Sequence, residues 1–313
     1  MMNGYGLVIQ STGSWYIVET ETGSLVKCKI KGKFKIAGIR TTNPVAAGDK
    51  VHFQYIENDE TGLIYKIDER ENYIIRKATR LSKEAHIIAS NLDQCVIIAS
   101  IKQPATPTGF IDRLLTTAEA YHIPSVIVFN KIDLYDEDDK KRLNELTKIY
   151  ENADYKVLHT SVVDNIGINK LKDLLKDKIT LFSGNSGVGK SAIINAIEPE
   201  LHLKTGEISY CHEKGKHTTT FASMHKLTFG GYIIDTPGIK EFGLTGFDRH
   251  EVAERFPEIR KYQQNCKFNN CTHTNEPDCA VKRSLAEGKI SAERYKNYLS
   301  ILSDDYFNET NYN

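Results

Sequence analysis

One octapeptide constrains the fold of this 313-residue chain more than any other feature. Residues 184–191 read Gly-Asn-Ser-Gly-Val-Gly-Lys-Ser and match G-x-x-x-x-G-K-[ST] at every fixed position. An apolar strand candidate, Ile179–Ser183, precedes the octapeptide, and a helical pattern, Lys190–Ile197, follows it, which is the context of a phosphate-binding loop. Backbone N–H groups can surround a β-phosphate there, the lysine adds charge at the β- and γ-phosphates, and Ser191 offers a hydroxyl to Mg²⁺. A chance glycine-rich turn is the alternative interpretation.

A second motif distinguishes between nucleotides. Asn130-Lys-Ile-Asp133 ends the strand candidate Ser125–Asn130, at the edge where α/β sheets place their ligands. The Asp133 carboxylate can accept hydrogen bonds from N1–H and the 2-amino group of guanine, and adenine lacks both donors. Asn130 can brace neighbouring loops, while the stem of Lys131 can lie over the base. Together with a phosphate loop, this motif favours GTP over ATP.

Two further strand ends extend the predicted site. Thr160 and Ser161 end another strand candidate, where a backbone N–H can reach the guanine carbonyl; an ordinary polar pair is the alternative. Asp235-Thr-Pro-Gly238 follows a third, where Asp235 can hold Mg²⁺ through water and the Gly238 N–H can meet the γ-phosphate; a plain Pro-Gly turn is the alternative. The candidate GTP-binding residues are therefore Asn130, Lys131, Ile132, Asp133, Thr160, Ser161, Gly184, Asn185, Ser186, Gly187, Val188, Gly189, Lys190, Ser191, Ala192, Asp235 and Gly238.

The order of these motifs along the chain is informative. The base-reading residues come first, the phosphate loop second and Asp-Thr-Pro-Gly last, whereas the phosphate loop leads in ordinary GTPases of this class. The order predicts a circularly permuted domain, which is physically feasible when the native termini lie close together on the surface. The segment after Gly238 then leads directly into the C-terminal region.

Three patterns divide the chain. Residues 1–72 contain short strand candidates separated by Gly13, Gly23, Gly32, Gly48 and Gly62, which predicts a small barrel. Residues 73–245 alternate apolar strands with amphipathic helices, as in a mainly parallel α/β sheet. Residues 246–313 are predicted to be helical. We therefore predict three domains with these boundaries.

Composition excludes several classes of protein. Lys+Arg and Asp+Glu both number 41, so a uniformly basic nucleic-acid-binding coat is excluded, although local basic patches are not. Charged residues make up 26% and apolar residues 40%, which is typical of a globular chain. The sequence has no apolar run long enough to span a membrane and no secretory signal. Six cysteines do not make a secreted disulfide scaffold, so we expect a cytoplasmic protein without membrane partners.

Basic residues are nevertheless clustered. Five lysines alternate with other residues, so a strand would present all five on one face: Lys27, Lys29, Lys31, Lys33 and Lys35. That face either contacts RNA phosphates or is a solvated edge that blocks aggregation. Further clusters in Arg70–Arg80, Arg249–Lys261 and Lys282–Arg294 are predicted to add phosphate contacts.

A cysteine–histidine cluster lies near the end of the chain. Cys266-x4-Cys271-x-His273-x5-Cys279 supplies three thiols and an imidazole within 14 residues. This donor set suits tetrahedral Zn²⁺, and four protein ligands imply a closed, structural site. Buried free cysteines beside a surface histidine are the alternative.

These motifs together resemble the RsgA family of circularly permuted GTPases, which act in small ribosomal subunit biogenesis. The resemblance covers nearly the whole chain. Beyond the motif order and the cysteine spacing, it is carried by Thr205–Ser209 (TGEIS), Gly215–Thr220 (GKHTTT) and Asp235–Gly238 followed by Glu241–Leu244 (EFGL). Lys216 stands where the family usually has Arg, and Ala192 where it often has Ser; neither difference removes a ligand side chain.

The resemblance implies a fold, an activity and partners. The barrel would be an OB-fold and the C-terminal domain a helical domain with one structural zinc per chain. GTP with Mg²⁺ would be hydrolysed to GDP and phosphate, stimulated by the small ribosomal subunit and coupled to release during late maturation. The partners would be the small subunit and its rRNA, and the protein a monomer.

Hydrolysis requires a group that orients water. Ile239 occupies the position of the usual glutamine and cannot do so. His217 lies in the segment between the phosphate-loop helix and Asp235, and we predict that it acts with Lys190 in catalysis; a surface histidine is the alternative. Thr218 and Thr219 are the preferred threonine ligands of Mg²⁺, beside Ser191 and Asp235.

Two other functions compete with a GTPase. The chain could be a non-enzymatic rRNA-binding scaffold with a structural nucleotide, or a metabolite kinase that uses the phosphate loop. Asp133 argues against the kinase.

Overall fold

The computed structural model describes residues 2–31, 44–56, 59–77, 85–201, 223–235 and 249–303. The strands are β1 Asn3–Ser11, β2 Tyr16–Thr20, β3 Leu25–Ile30, β4 Lys50–Tyr55, β5 Thr61–Ile67, β6 Tyr73–Lys77, β7 Ala85–Ser90, β8 Gln94–Ala99, β9 Ser125–Phe129, β10 Lys156–His159, β11 Ile179–Gly184, β12 Ser223–Lys226 and β13 Tyr232–Asp235. The helices are α1 Thr108–Ala120, α2 Glu137–Glu151, α3 Ile168–Leu175, α4 Lys190–Ile197, α5 Arg249–Glu254, α6 Pro257–Gln263, α7 Ala280–Ala286 and α8 Ala292–Leu302.

Contacts between residues divide the chain into two units. The first unit comprises Met1–Cys95, Lys170–Ser183 and Ile194–Gly243. The second unit comprises Val96–Asn169, Gly184–Ile193 and Leu244–Asn313. The three-domain division at 72 and 245 stays a prediction. None of the helices in the described ranges is long and apolar enough to cross a membrane.

The first unit begins with a closed five-stranded barrel, which confirms the prediction for the N-terminal region. Its strand order is β1-β2-β3-β5-β4, and β4 pairs back with β1. All neighbouring pairs are antiparallel except β3–β5. This is the five-stranded arrangement of an OB-fold, and closure leaves fewer unpaired strand edges. Alternate residues point inward, so that Val8, Val18, Phe53 and Ile64 are completely buried.

Gly62 was predicted to mark a turn, and this prediction is wrong. The residue lies within β5, a strand that the sequence pattern did not reveal. A β-carbon at Gly62 would lie 2.7 Å from Phe53 Cδ2 and 2.8 Å from Cys28 Sγ. Glycine is therefore required because the Phe53 ring fills the barrel interior at that point.

The barrel shares a sheet with α/β strands of the same unit. Strand β1 pairs with β12 through Gln10 and Ser223, β12 lies antiparallel to β13, and β13 lies parallel to β11. The buried Glu19 on β2 strengthens this junction: its carboxylate pairs with Lys226 and accepts a hydrogen bond from Tyr232 Oη at 2.9 Å. Strands β6 and β7 form a separate antiparallel pair.

The second unit contains parallel strands and most of the helices. Strands β9 and β10 pair in parallel, and the Asn130 N–H donates to Ala99 O just beyond β8 at 2.8 Å. Helix α2 begins with a capping box. The Asp136 side chain accepts hydrogen bonds from backbone N–H groups of the first turn, and the Asp139 carboxylate accepts one from the Asp136 N–H. The C-terminal helices enclose their own core, which includes Val252, Phe256, Tyr298 and Ile301.

Two predicted phosphate contacts are corrected by burial. Arg294 is only 2% exposed and donates to Glu258 and Asp112 carboxylates at 2.5 and 2.6 Å. The Arg70 side chain is 9% exposed and pairs with the buried Asp49 at 2.6 Å in the first unit. Buried guanidinium groups held by carboxylates contribute to folding and are inaccessible to RNA, so the basic clusters around these residues are smaller than the sequence suggested.

Candidate nucleotide-binding and metal-binding sites

The octapeptide at 184–191 forms a compact loop between β11 and α4. Lys190 Nζ lies inside the loop and donates to the carbonyl oxygens of Gly184 at 2.7 Å and Asn185 at 2.9 Å. Gly189 has φ of +96°, and a β-carbon there would lie 2.4 Å from Asn130 Nδ2. Glycine is thus required both by the left-handed backbone and by the close approach of the base-reading motif.

Asn130 joins the phosphate loop to the two segments that are predicted to read the base. Its side chain is 2% exposed. Nδ2 donates to Val188 O in the phosphate loop at 2.9 Å, and Oδ1 accepts from Thr160 Oγ1 at 3.0 Å. The side-chain amide uses a donor and an acceptor to fix segments that are far apart in sequence. This geometry supports the bracing role predicted for Asn130.

Asp133 stands at the exposed end of the motif. Ser161 Oγ donates to Asp133 Oδ1 at 2.6 Å and accepts from the Asp164 N–H at 3.0 Å. Ser161 is completely buried, whereas Asp133 is exposed. The serine therefore fixes the carboxylate from the protein side and leaves it open toward solvent, where a base can approach.

Thr160 and Ser161 differ from the predicted arrangement in one respect. Their backbone N–H groups were expected to be available for a guanine carbonyl. Instead the Thr160 N–H donates to Phe129 O at 2.9 Å, and the Ser161 N–H donates to Ile166 O at 3.0 Å. Strand pairing and a short bridge use these donors, so the two residues contact Asn130 and Asp133 through their side chains.

The segment 100–107 contacts the candidate site, although no sequence motif marks it. Tyr135 Oη accepts from the Ile101 N–H at 2.8 Å and donates to Asn130 O at 2.7 Å, and burial raises the pKa of this phenol. Lys131 Nζ donates to Gln103 O at 2.5 Å. A β-carbon on Gly187 would lie 3.2 Å from Pro104 Cδ. This segment carries no phosphate- or base-binding motif, so only the folded chain reveals it.

The remaining predicted residues divide into two groups. Ile132, Ser186, Ser191 and Ala192 lie in the second unit with the two loops. Asp235 lies in the first unit, at the end of β13 and in register with Phe182 of β11. The other predicted residues and motifs lie outside the described residues: His217, Thr218, Thr219, Gly238, Ile239 and the segments 205–209, 215–220 and 241–244.

The four residues of the cysteine–histidine cluster converge in the second unit. Their ligand atoms all lie within 4.8 Å of one another, the only such group of metal-ligating side chains in the part of the chain that the structure describes. His273 Nδ1 is 3.6 Å from Cys266 Sγ and 3.5 Å from Cys279 Sγ, and these two sulfur atoms are 3.9 Å apart. The sulfur–sulfur distance excludes a disulfide between them.

These distances fit a tetrahedral metal ion. With Zn–S of about 2.3 Å and Zn–N of about 2.0 Å, ligand pairs would be separated by about 3.5 Å (S to N) and about 3.8 Å (S to S). Burial lowers the pKa of His273, which favours the neutral imidazole that binds metals. Burial raises the pKa of the Cys271 thiol to about 12, so its thiolate requires a nearby positive charge. The cluster can therefore hold a metal ion.

Comparison with known proteins places the chain in a family. The sequence profile of the RsgA GTPase matches residues 67–245, and that of the RsgA N-terminal domain matches residues 5–64. The chain belongs to the RsgA GTPase family. Its relatives include proteins named small ribosomal subunit biogenesis GTPase RsgA. The one from Phocaeicola vulgatus is 52% identical, over 96% of both chains. The one from Flavobacterium psychrophilum is 51% identical, over 96% of this chain and 93% of the relative.

Two solved structures are also similar to this RsgA-family chain. YjeQ from Thermotoga maritima matches with a TM-score of 0.79 and 34% identity, over 96% of this chain and 98% of YjeQ. YloQ, described as a circularly permuted GTPase, matches with a TM-score of 0.76 and 29% identity, over 100% of this chain and 97% of YloQ. The predicted fold class is thereby confirmed: a barrel, a permuted GTPase domain and a C-terminal helical region whose Cys₃His group can bind zinc. The protein is a GTP hydrolase.

The barrel of this RsgA-family chain carries a basic and aromatic face. Lys27 and Lys29 on β3 are exposed and alternate with the buried Val26 and Cys28. Both lysine Nζ atoms lie 4.3 Å from the ring centroid of Trp15, the only tryptophan in the sequence. The alternation predicted for the lysine run is observed for this strand, whereas Lys33 and Lys35 lie outside the described residues. A cationic face with an aromatic ring is typical of single-stranded nucleic-acid binding.

Proposed function

We propose that this GTPase binds the small ribosomal subunit, acts in its late maturation, and couples subunit-stimulated GTP hydrolysis to its own release. The observation that carries the proposal is the presence, in one chain of this family, of a phosphate-loop sequence hydrogen-bonded to the Asn130–Asp133 motif and of a basic, aromatic barrel face. The names of the relatives supply the partner. We further propose that the protein is a cytoplasmic monomer.

The nucleotide would be held by residues with distinct roles. Lys190 would exchange its loop carbonyl partners for the β- and γ-phosphates, and Asp133 would read the guanine base. Ser191 and Asp235, with Thr218 and Thr219, would hold Mg²⁺, which neutralises charge on the phosphates when bound. His217 would orient the attacking water. Because subunit binding would bring His217 into place, we expect slow hydrolysis by the free protein.

The rival function is an rRNA-binding scaffold whose nucleotide is structural. GTP turnover measured with and without purified small subunits tests the proposal directly. We expect the subunits to accelerate turnover and the protein to leave them after hydrolysis. Equal turnover in both samples, with stable binding, would favour the scaffold. ATP should fail to compete with GTP, because adenine lacks the two donors that Asp133 is proposed to bind.

We propose that the Cys₃His group binds one structural zinc ion per chain. A closed four-ligand site stabilises the fold around it and has no open position for chemistry. Chelation, or Cys271→Ser, should therefore unfold residues 260–285 while leaving GTP affinity near normal. Hydrogen exchange of that segment and GTP titration of the same sample measure both effects. Less than about half a zinc per chain in a carefully purified sample would contradict the assignment.

The proposed RNA-binding face can be tested without removing the barrel. Deleting residues 1–70 is unsuitable because β1 pairs with β12 in the sheet of the first unit. In the double variant Lys27→Ala and Lys29→Ala, small-subunit binding should weaken and its dependence on salt should become shallower. Each lost phosphate contact lowers the magnitude of the log–log salt slope by about 0.7–0.9. Basal GTP hydrolysis should persist.

The matched control removes the same charge elsewhere. Lys140 and Lys141 on α2 are exposed and pair with Glu137 and Asp138. Their double alanine variant should bind subunits with the parent salt slope. Trp15 fluorescence provides a direct signal, since it should change when RNA reaches this face. An unchanged salt slope in the Lys27/Lys29 variant would identify the lysines as a solvated edge.

A further inference from the structure

The loop that carries two of the four cluster ligands is organised by one carboxylate. Glu276 Oε1 accepts from the Thr272 N–H at 2.7 Å and from Thr272 Oγ1 at 2.6 Å. Glu276 Oε2 accepts from the Thr274 N–H at 2.9 Å. Thr272 and Thr274 flank His273 on either side. An ionised carboxylate, which offers only acceptors, suits a position where three donors converge.

These hydrogen bonds hold a turn with an uncommon backbone conformation. His273 has φ of +59°, in the left-handed region that side-chain-bearing residues rarely adopt. From helix α8, Tyr298 Oη donates to Thr272 O at 2.6 Å and Tyr295 Oη donates to His273 O at 2.5 Å. The turn is thus fixed by side chains that are not themselves metal ligands.

Glu276 is ionised under ordinary conditions. Burial raises the pKa of the Glu276 carboxyl, but hydrogen bonds from Thr272 and Thr274 outweigh burial and lower this pKa to about 2. Its carboxylate therefore keeps all of its acceptor sites at neutral pH. The neighbouring Asp278 provides a contrast, because its side chain is 68% exposed and pairs with Lys267 at 3.4 Å.

We propose that Glu276 is a positioning residue of the metal site, which holds the turn from Cys271 to Thr274 so that His273 Nδ1 faces the cysteine sulfur atoms. The inference rests on the proposed zinc site. Ordering a loop costs conformational entropy, and hydrogen bonds that order the loop without using a metal ligand reduce the part of that cost that falls on metal binding. Partners of this kind, outside the ligand set, change metal affinity by about 10–100-fold when replaced.

The substitution Glu276→Gln tests this role. The amide keeps one acceptor oxygen but presents an NH₂ group to one of the donors, either Thr272 or Thr274, so part of the clamp is lost. Asp278→Asn is the matched control, since it removes one negative charge from the same loop without touching the clamp. Thr272→Val removes the hydroxyl that bonds Glu276 and Thr274 but keeps both backbone donors to Glu276, so it should have a smaller effect than Glu276→Gln.

The measurement is zinc affinity of the full-length chain in competition with a chromophoric chelator. We expect Glu276→Gln to bind zinc about 10–100-fold more weakly than the parent. Asp278→Asn should stay within about threefold, as expected for an exposed charge. Saturating Co²⁺ should give the same ligand-field spectrum in all variants, because the four ligands are unchanged. Hydrogen exchange of residues 260–285 at saturating zinc checks that each variant is folded in this region.

Three outcomes would overturn the inference while leaving the zinc site intact. They are parent-like zinc affinity in Glu276→Gln, equal weakening by Asp278→Asn, or an altered Co²⁺ spectrum at saturation in Glu276→Gln. The second outcome would assign the effect to charge, and the third would show that the substitution changes the coordination itself. A parent chain that binds no zinc would instead remove the proposed site, and this inference with it.

Discussion

The variant His217→Ala should bind GTP and small subunits normally but lose most of the subunit-stimulated rate of hydrolysis. Ile239 cannot orient water, so the catalytic group must come from elsewhere, and the sequence favours His217. Loss of a group that positions or activates water lowers turnover by about 10²-fold or more. Single-turnover GTP hydrolysis on purified subunits measures this loss. The variant should also remain on the subunit in its GTP form, since release is proposed to follow hydrolysis.

A matched control is the exposed His122, which follows α1 outside the nucleotide-binding segments. His122→Ala should hydrolyse GTP at the parent rate with and without subunits. A stimulated rate for His217→Ala within about threefold of the parent, far smaller than the expected loss, would remove this histidine from the mechanism. The run Thr218–Thr220 or a group of the ribosome would then be the candidate.

A second large effect is expected from Asp133→Asn, which should shift the base preference from guanine toward xanthine. The carboxylate is expected to accept two hydrogen bonds from guanine, and the amide of asparagine would instead donate to the 2-oxo group of xanthine. Losing charge-assisted hydrogen bonds to a base should weaken GTP binding by on the order of 10²-fold. Titration with GDP and with xanthosine diphosphate measures both sides of the exchange.

The structure sharpens this test. Ser161 Oγ donates to Asp133 Oδ1 at 2.6 Å, and the carbonyl oxygen of asparagine can still accept that bond. The variant should therefore keep the local fold. Asp138→Asn, an exposed acid on α2 that pairs with Lys141, removes the same charge and should leave nucleotide preference unchanged. If Asp133→Asn binds GDP as well as the parent does, another residue reads the base.

Local patterns predicted a large part of the fold. Strands β9 and β11 and helix α4 begin and end within one residue of their predicted bounds, because apolar periodicity acts over a few positions. Strand β5 was missed for the opposite reason. Its glycine reads locally as a turn, and only the Phe53 ring of another strand explains why glycine lies within a strand.

Charge was the property least readable from the sequence. Lys27 and Arg294 both belong to basic clusters, yet one is exposed beside Trp15 and the other is buried between two carboxylates. The partners of Arg294 lie 36 and 182 positions away in sequence. Burial depends on contacts of this range, so composition cannot distinguish an RNA contact from an internal ion pair.

By itself, the sequence determined the chemistry available to this protein. A phosphate loop, a motif typical of guanine recognition, their permuted order and a Cys₃His donor set each depend on residue type and on position along the chain, and both can be read from the sequence. The tertiary structure alone decided which groups remain available to act. In the folded chain the N–H groups of Thr160 and Ser161 donate to backbone carbonyl groups. Folding also places segment 100–107 against the Asn130–Asp133 motif. It also set Glu276 behind His273, because hydrogen bonds are made by atoms that folding brings within about 3 Å of each other, whatever their separation along the chain.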